Sequence, residues 1–284
     1  MSSRADLHVH TTASDGQFTP EEVVAMARAL GLRAIAITDH DSTLGIPPAE
    51  KAARGTGLEV VPGVEISAES AVGEVHILGY FVEPEADGME AKLRQVREAR
   101  LERARRIVAR LAALGIPVDW ERVRELAAGE SVGRPHVARA MVERGYVSST
   151  DEAFALYLAS GRPAYVPRLK VTPPEAIAWI RSARGVPVLA HPLQATDLVP
   201  ALRKAGLEGL EASYTGYSPE EVRYLTDLAA RYGLVATGGS DFHGPDMACG
   251  ELGAATTPYA TVEELRRRRP TGGQGSGQAR PDAP

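Results

Sequence analysis

The sequence predicts an α/β fold, with a mostly parallel sheet closed or nearly closed into a barrel and interrupted by a helical insertion. Three observations carry this. Short Val-, Ile- and Leu-rich runs alternate with helical patterns about seven times, as the strand–helix units of a parallel sheet do. The stretch from Pro84 to Lys170 breaks that alternation with almost purely helical pattern. The chain has 284 residues, 44% hydrophobic and 24% charged, enough for one large core and an insert.

The expected strands are Asp6–His8, Ala34–Thr38, Glu59–Pro62 running into Val64–Ile66, Glu74–Tyr80, Val186–Ala190, Gly209–Ala212 and Leu234–Thr237. Thr19-Pro20-Glu21-Glu22 supplies a cap, a first-turn proline and acidic residues for a helix ending near Gly31. Thr172-Pro173-Pro174-Glu175 and Ser218-Pro219-Glu220-Glu221 open two more in the same way. In the insertion a long helix runs from about Met89 to Leu114, with Leu101, Ala104, Val108 and Leu111 on one stripe. Shorter helices follow over Trp120–Ala127, Pro135–Arg144 and Thr150–Leu158. Residues 1–83 and 171–262 thus form two parts of the barrel, and 84–170 form a cap. Residues 263–284, Arg-rich and then rich in Gly, Pro, Gln and Ser, read as a disordered tail.

Composition narrows the chemistry. A single cysteine, Cys249, excludes a disulfide scaffold, a thiolate zinc cluster and a two-Cys redox couple, and it reads as inert. A formal net charge of -5 gives no global positive field for nucleic acid. No apolar stretch follows a basic N-terminus, and no segment approaches the ~20 apolar residues of a membrane span. A cytoplasmic protein without membrane association or an obligate protein partner is expected.

Seven histidines are present, and their positions matter more than their number. His8 and His10 end the first strand, and alternation puts both rings on one face. His40 follows the second strand, Glu65 ends the third and His76 sits in the fourth. His191 ends the fifth, Asp241 and His243 follow the last, and Asp15 lies just past His10. Any one of these alone suits a core histidine, a turn residue or a paired buried carboxylate. Together, six imidazoles and three carboxylates at one sheet edge would be costly to bury without cations. Nine such ligands exceed what one zinc takes and suit two or three divalent ions sharing a carboxylate. Imidazole and carboxylate ligands without thiolate point to Mn2+, Fe2+ or Zn2+, a choice that the donor types leave open, and Mn2+ is the first expectation.

Asp6-Leu7-His8-Val9-His10, Thr38-Asp39-His40, Gly63-Val64-Glu65, Val75-His76, Ala190-His191-Pro192 and Ser240-Asp241-Phe242-His243 resemble the motifs of the polymerase and histidinol phosphatase (PHP) phosphoesterases. The resemblance implies a distorted (β/α)7 barrel with a trinuclear site at the strand C-termini. It places His8, His10, Glu65 and Asp241 on one ion. A second ion takes Glu65, His76 and His191, and a third takes Asp15, His40 and His243. Such a cluster makes hydroxide available near neutral pH, held by ions on Glu65, Asp241 and His191, so no protein nucleophile is required.

Two segments of the insertion bear on the substrate. Arg134-Pro135-His136 forms either an anion-binding corner at a helix start or a dock between insert and barrel. Arg162 and Tyr165 either meet a phosphate and a base or belong to a turn leading back to the barrel. The basic residues of the long helix either steer polyanions or form a solvated face. The Arg-Pro-His segment resembles the PHP subgroup acting on nucleoside 3',5'-bisphosphates and short 5'-phosphorylated oligonucleotides. There, phosphatase and 5'-3' exonuclease action are one reaction at the 3' phosphoester. The rivals are a small-metabolite phosphatase acting on, for example, histidinol phosphate, and a catalytically silent PHP interaction module. The mark of the latter is lost ligands, and none is lost here.

Overall fold

A computed structural model describes residues 4–127, 132–167, 169–245 and 250–270. Cys249 and the end of the expected tail, residues 271–284, lie outside the described residues.

The strands are β1 (Arg4–Val9), β2 (Ala34–Ile37), β3 (Glu59–Ser70), β4 (Gly73–Tyr80), β5 (Val186–Leu189), β6 (Gly209–Tyr214), β7 (Val235–Gly239) and the short β8 (Thr257–Pro258). They form one sheet in the order β7-β6-β5-β4-β3-β2-β1-β8. Beyond the strand ends, Val9 bridges Phe242 and the His10 N–H donates to the Phe242 carbonyl at 2.9 Å, so β1 and the segment after β7 draw the sheet into a barrel. Glycine permits this closure: a Cβ on Gly239 would stand 2.4 Å from the Cβ of His8.

Around the sheet run α1 (Pro20–Ala29), α2 (Ile46–Ala53), α7 (Pro173–Ser182), α8 (Val199–Ala205), α9 (Pro219–Arg231) and α10 (Tyr259–Arg267). The insertion holds α3 (Met89–Ala113), α4 (Trp120–Ala127), α5 (Arg134–Glu143) and α6 (Thr150–Ala153), the last widening into a π-turn over Phe154–Leu158. The three starts expected from sequence are full capping boxes, pairing Thr19 with Glu22, Thr172 with Glu175 and Ser218 with Glu221.

One departure from parallel alternation matters for the site. Between Ser70 and Gly73 there is room only for a tight turn, far too little for a parallel crossover. β4 therefore runs antiparallel to both β3 and β5. Its first half consequently lies at the edge where the parallel strands end, with His76 opposite Ser67, just beyond Glu65.

The sequence-based tail boundary at residue 263 is too early. α10 continues to Arg267, and Val262 and Leu265 are buried in a cluster with Leu7, Ala36, Val61 and Val188 of the sheet. Arg268 pairs with Glu208 at 3.0 Å and Arg269 with Glu83 at 2.8 Å, tying the end of the helix to the barrel. An apolar pair hidden among arginines and glutamates gave little periodic signal. Helices α2 and α8 and strand β8 also escaped sequence reasoning, being short.

The insertion buries an apolar cluster of its own, including Ile107, Leu111, Val123, Val137 and Met141. α3 belongs to both cores, because Met89, Leu93 and Val96 pack with the barrel cluster while Ala104, Ile107 and Leu111 pack with the insert. Two arginines fix where α3 crosses the barrel rim. Arg97 donates to the Asp41 carbonyl at 2.8 Å, and Arg100 donates to the Asp41 carboxylate and to Ser67 Oγ. Among the described residues no helix is long and apolar enough to cross a membrane.

Candidate metal centre

The barrel edge gathers every histidine and carboxylate singled out there. Alternation along β1 turns His8 and His10 inward, and both are fully buried. Asp15 lies on the loop after β1. That loop is folded back by Asp39, which accepts from the Thr11 N–H at 2.7 Å and from Ser14 Oγ at 2.7 Å. His40 follows β2 and bridges Glu65 on β3. His191 follows β5, and Asp241 and His243 follow β7. His191 and Asp241 have φ of 26° and 55°, conformations that L-residues adopt at a cost and that concentrate at functional sites.

Glu65 is the hub. Its Oε2 lies 3.2 Å from His8 Nε2, 3.1 Å from His10 Nε2 and 3.2 Å from His40 Nδ1. Its Oε1 lies 2.8 Å from His76 Nδ1 and 3.5 Å from His191 Nε2. Asp241 Oδ1 sits 3.2 Å from Nε2 of both His8 and His10. Asp15 Oδ1 stands 3.3 Å from His243 Nε2 and 3.6 Å from His10 Nδ1, and its Oδ2 stands 3.9 Å from His40 Nε2.

Ligand atoms within 4.8 Å of one another fall into three overlapping groups. His8, His10, Glu65 and Asp241 form the first, as the motif resemblance implied. The second joins His10 to Asp15, His40 and His243, and the third brings His40 to Glu65 and His76. His191 is beside that third group, its Nε2 3.2 Å from His76 Nδ1.

The electrostatics bind these residues into one interdependent cluster. Burial opposes charge on Glu65, yet His40, His8 and His76 hold its carboxyl well below the ordinary range. Burial likewise opposes charge on Asp15, and His40 and His243 hold it well down. Burial disfavours protonated His8 and His76, but Glu211, Asp241 and Glu65 raise the first well above its usual value, and Glu65 lifts the second to about 10. Burial drives His40 down to about 3. Without a cation, protons on some imidazoles must balance the carboxylates. Even so, His8 Nε2, His10 Nδ1 and Nε2, His40 Nδ1 and Glu65 Oε2 are buried with no hydrogen bond. Buried polar atoms are rarely left so; His8 Nε2, His10 Nε2 and His40 Nδ1 gather around Glu65 Oε2 while His10 Nδ1 faces Asp15, an arrangement that fits more than one divalent cation.

A cleft of about 250 Å³ opens beside the cluster. Asp15, His40 and His76 form part of its barrel wall, and Arg100, Arg103, Arg134 and His136 line it from the insertion. His136 Nδ1 accepts the Gly133 N–H at 3.0 Å, and burial lowers its pKa, leaving a neutral ring whose Nε2–H can donate. The structure does not bring Arg162 and Tyr165 to this cleft. Arg162 is exposed in a turn, while the Tyr165 carbonyl accepts from Arg110 and its ring lies 5.7 Å from the Arg103 guanidinium.

Sequence reasoning missed Glu211 and Tyr214 on β6. Glu211 is fully buried, accepting from His8 Nδ1–H at 2.9 Å and from the His191 backbone N–H at 2.7 Å. Tyr214 donates to Asp241 Oδ2 at 2.8 Å. The available signal was a lone carboxylate in the apolar run Gly209-Leu210-Glu211-Ala212.

The family model described as PHP domain matches residues 6–123. The chain is 36% identical over 256 residues to a 3',5'-nucleoside bisphosphate phosphatase of Chromobacterium violaceum, covering 87% of this chain and 90% of that protein. It is 41% identical over 249 residues to the 5'-3' exoribonuclease Rnm of Escherichia coli, covering 84% and 85% respectively. A solved structure of a candidate metal-dependent phosphoesterase from Bifidobacterium adolescentis superposes with a TM-score of 0.81 at 35% identity, covering 93% of this chain and 96% of that one.

Proposed function

The chain belongs to the PHP domain family, and from that membership we propose that it hydrolyses the 3' phosphoester of 5'-phosphorylated nucleotides. The products are a nucleoside 5'-monophosphate and phosphate from a 3',5'-bisphosphate, or single nucleotides from the 5' end of a short oligonucleotide. The observation that carries this is the facing of two sets of groups across one cleft: imidazoles and carboxylates on one wall, Arg134 and His136 on the other.

The cluster would hold two or three divalent ions; an imidazole and carboxylate donor set lacking thiolate admits Mn2+, Fe2+ or Zn2+, and Mn2+ is the ion we propose. When bound, such ions supply Lewis-acid charge to phosphoryl oxygens and acidify a water into a nucleophile. His8, His10, Glu65 and Asp241 would hold one, with Glu65 shared toward His76 and His191. Asp15, His40 and His243 would hold another, with His10 within reach. Arg134 and the His136 Nε2–H would receive the 5'-phosphate, anchoring the nucleotide so that its 3' phosphorus meets the cluster. Whether hydrogen or a further nucleotide lies beyond that phosphorus then decides only the product. A cytoplasmic location goes with this substrate class.

Adenosine 3',5'-bisphosphate and histidinol phosphate separate this activity from small-metabolite phosphatase action. With Mn2+, the bisphosphate is expected to turn over with AMP as product, and histidinol phosphate at least about a hundred-fold more slowly. That margin corresponds to about 2.7 kcal/mol, within reach of hydrogen bonds to one charged phosphate. Phosphate release measured on both decides it, and turnover of histidinol phosphate alone overturns the substrate assignment.

A further inference from the structure

We infer that Glu211 is a positioning residue for the metal centre, setting the orientation of two ligands at once while touching neither ion nor substrate. This rests on the metal-binding role proposed for His8 and His191.

The geometry is specific. Glu211 lies on β6, next to β5, which leads into His191, and separated by β7 from β1, which carries His8. One carboxylate oxygen takes the His8 Nδ1–H at 2.9 Å, and the other takes the His191 backbone N–H at 2.7 Å. In the neutral ring that a metal requires, an acceptor on Nδ1 fixes the proton there and directs the Nε2 lone pair of His8 toward Glu65 and Asp241, each 3.2 Å away. That Nε2 is one of the buried atoms with no hydrogen bond. A carboxylate on the far nitrogen also makes an imidazole a better donor to a metal. The second oxygen holds His191 in its unusual backbone conformation, φ 26° and ψ 58°, from which its Nε2 reaches within 3.5 Å of Glu65.

Strand β7 makes this reach possible. Glu211 pairs in register with Thr237, and two residues on, Gly239 lies so close to His8 that no Cβ fits. The missing side chain lets β1 approach until His8 comes within hydrogen-bonding distance of a carboxylate on β6. A glutamine cannot reproduce the contact. Its single carbonyl oxygen can serve His8 or His191, and the amide placed against His8 Nδ1 would force the proton onto Nε2, the atom needed for the ion.

The test is Mn2+ titration by calorimetry on full-length protein stripped of metal, with thermal melting of the same metal-free samples by circular dichroism. Glu211→Gln is expected to weaken Mn2+ binding about ten- to hundred-fold, with the native spectrum and melting transition retained. Glu211→Asp keeps the charge but shortens the reach, and its affinity should fall between the two. Wild-type affinity in a folded Glu211→Gln variant overturns the inference. So does weakened binding that appears only together with loss of the native spectrum in both variants, which assigns Glu211 to folding. If the wild-type protein itself takes up no Mn2+, the metal-centre proposal fails and this one with it.

Discussion

Replacing His8 and Asp241 together by alanine is expected to lower phosphate release from adenosine 3',5'-bisphosphate by at least about a thousand-fold. The size follows from the several kcal/mol that a Lewis-acid ion contributes to phosphoryl transfer, about 4 kcal/mol being a thousand-fold in rate. Both residues belong to the four-ligand group around Glu65, so the double change removes half of that group at a stroke. His8 is fully buried and pairs with Glu211, so the fold of the variant is checked beside its activity. Steady-state phosphate assays alongside circular dichroism separate loss of the metal site from loss of the fold. Undiminished activity in the double variant would remove the metal centre from the mechanism.

Arg134→Ala should have the next largest effect, and a selective one. Its guanidinium is held over the Phe154 ring at 5.4 Å and donates to the Leu158 carbonyl at 3.4 Å, while lining the same cleft as His40 and His76. A guanidinium carries five N–H donors, so this anchoring leaves others for a phosphate. Hydrogen bonds to charged groups are worth about 1.5–3 kcal/mol, so kcat/KM on adenosine 3',5'-bisphosphate should fall about ten- to hundred-fold. Adenosine 3'-monophosphate has no 5'-phosphate to lose, and its turnover should barely change. The ratio of the two rates is therefore the readout. An equal fall on both would mean that Arg134 serves to dock the insert.

Much of this was legible in the sequence because the site is built from strand ends. Alternation on β1 announced His8 and His10 as neighbours, and the Val/Ile/Leu runs placed His191 and Asp241 at one edge. The course of α3 was legible too, since Gly115-Ile116-Pro117 cannot continue a helix. Three features were hidden for physical reasons. Glu211 reaches His8 only through barrel closure, a contact spanning 203 residues that no local pattern encodes. The antiparallel course of β4 depended on the two-residue gap after Ser70, a hairpin signal masked by the expectation of parallel alternation. Arg162 and Tyr165 looked like Arg134 and His136, a basic residue beside a proline and an aromatic or imidazole ring. Only the packing of α3 against the segment, with Arg103 donating to the Val166 carbonyl at 2.7 Å, turns it away from the cleft.

Crystals of the wild-type protein grown with Mn2+ and measured at the manganese absorption edge test the central claim most directly. Two or three anomalous peaks are expected inside the ring of His8, His10, Asp15, His40, Glu65, His76, His191, Asp241 and His243, with Glu65 touching more than one. Fully occupied peaks elsewhere, with none bound to Glu65, would contradict it.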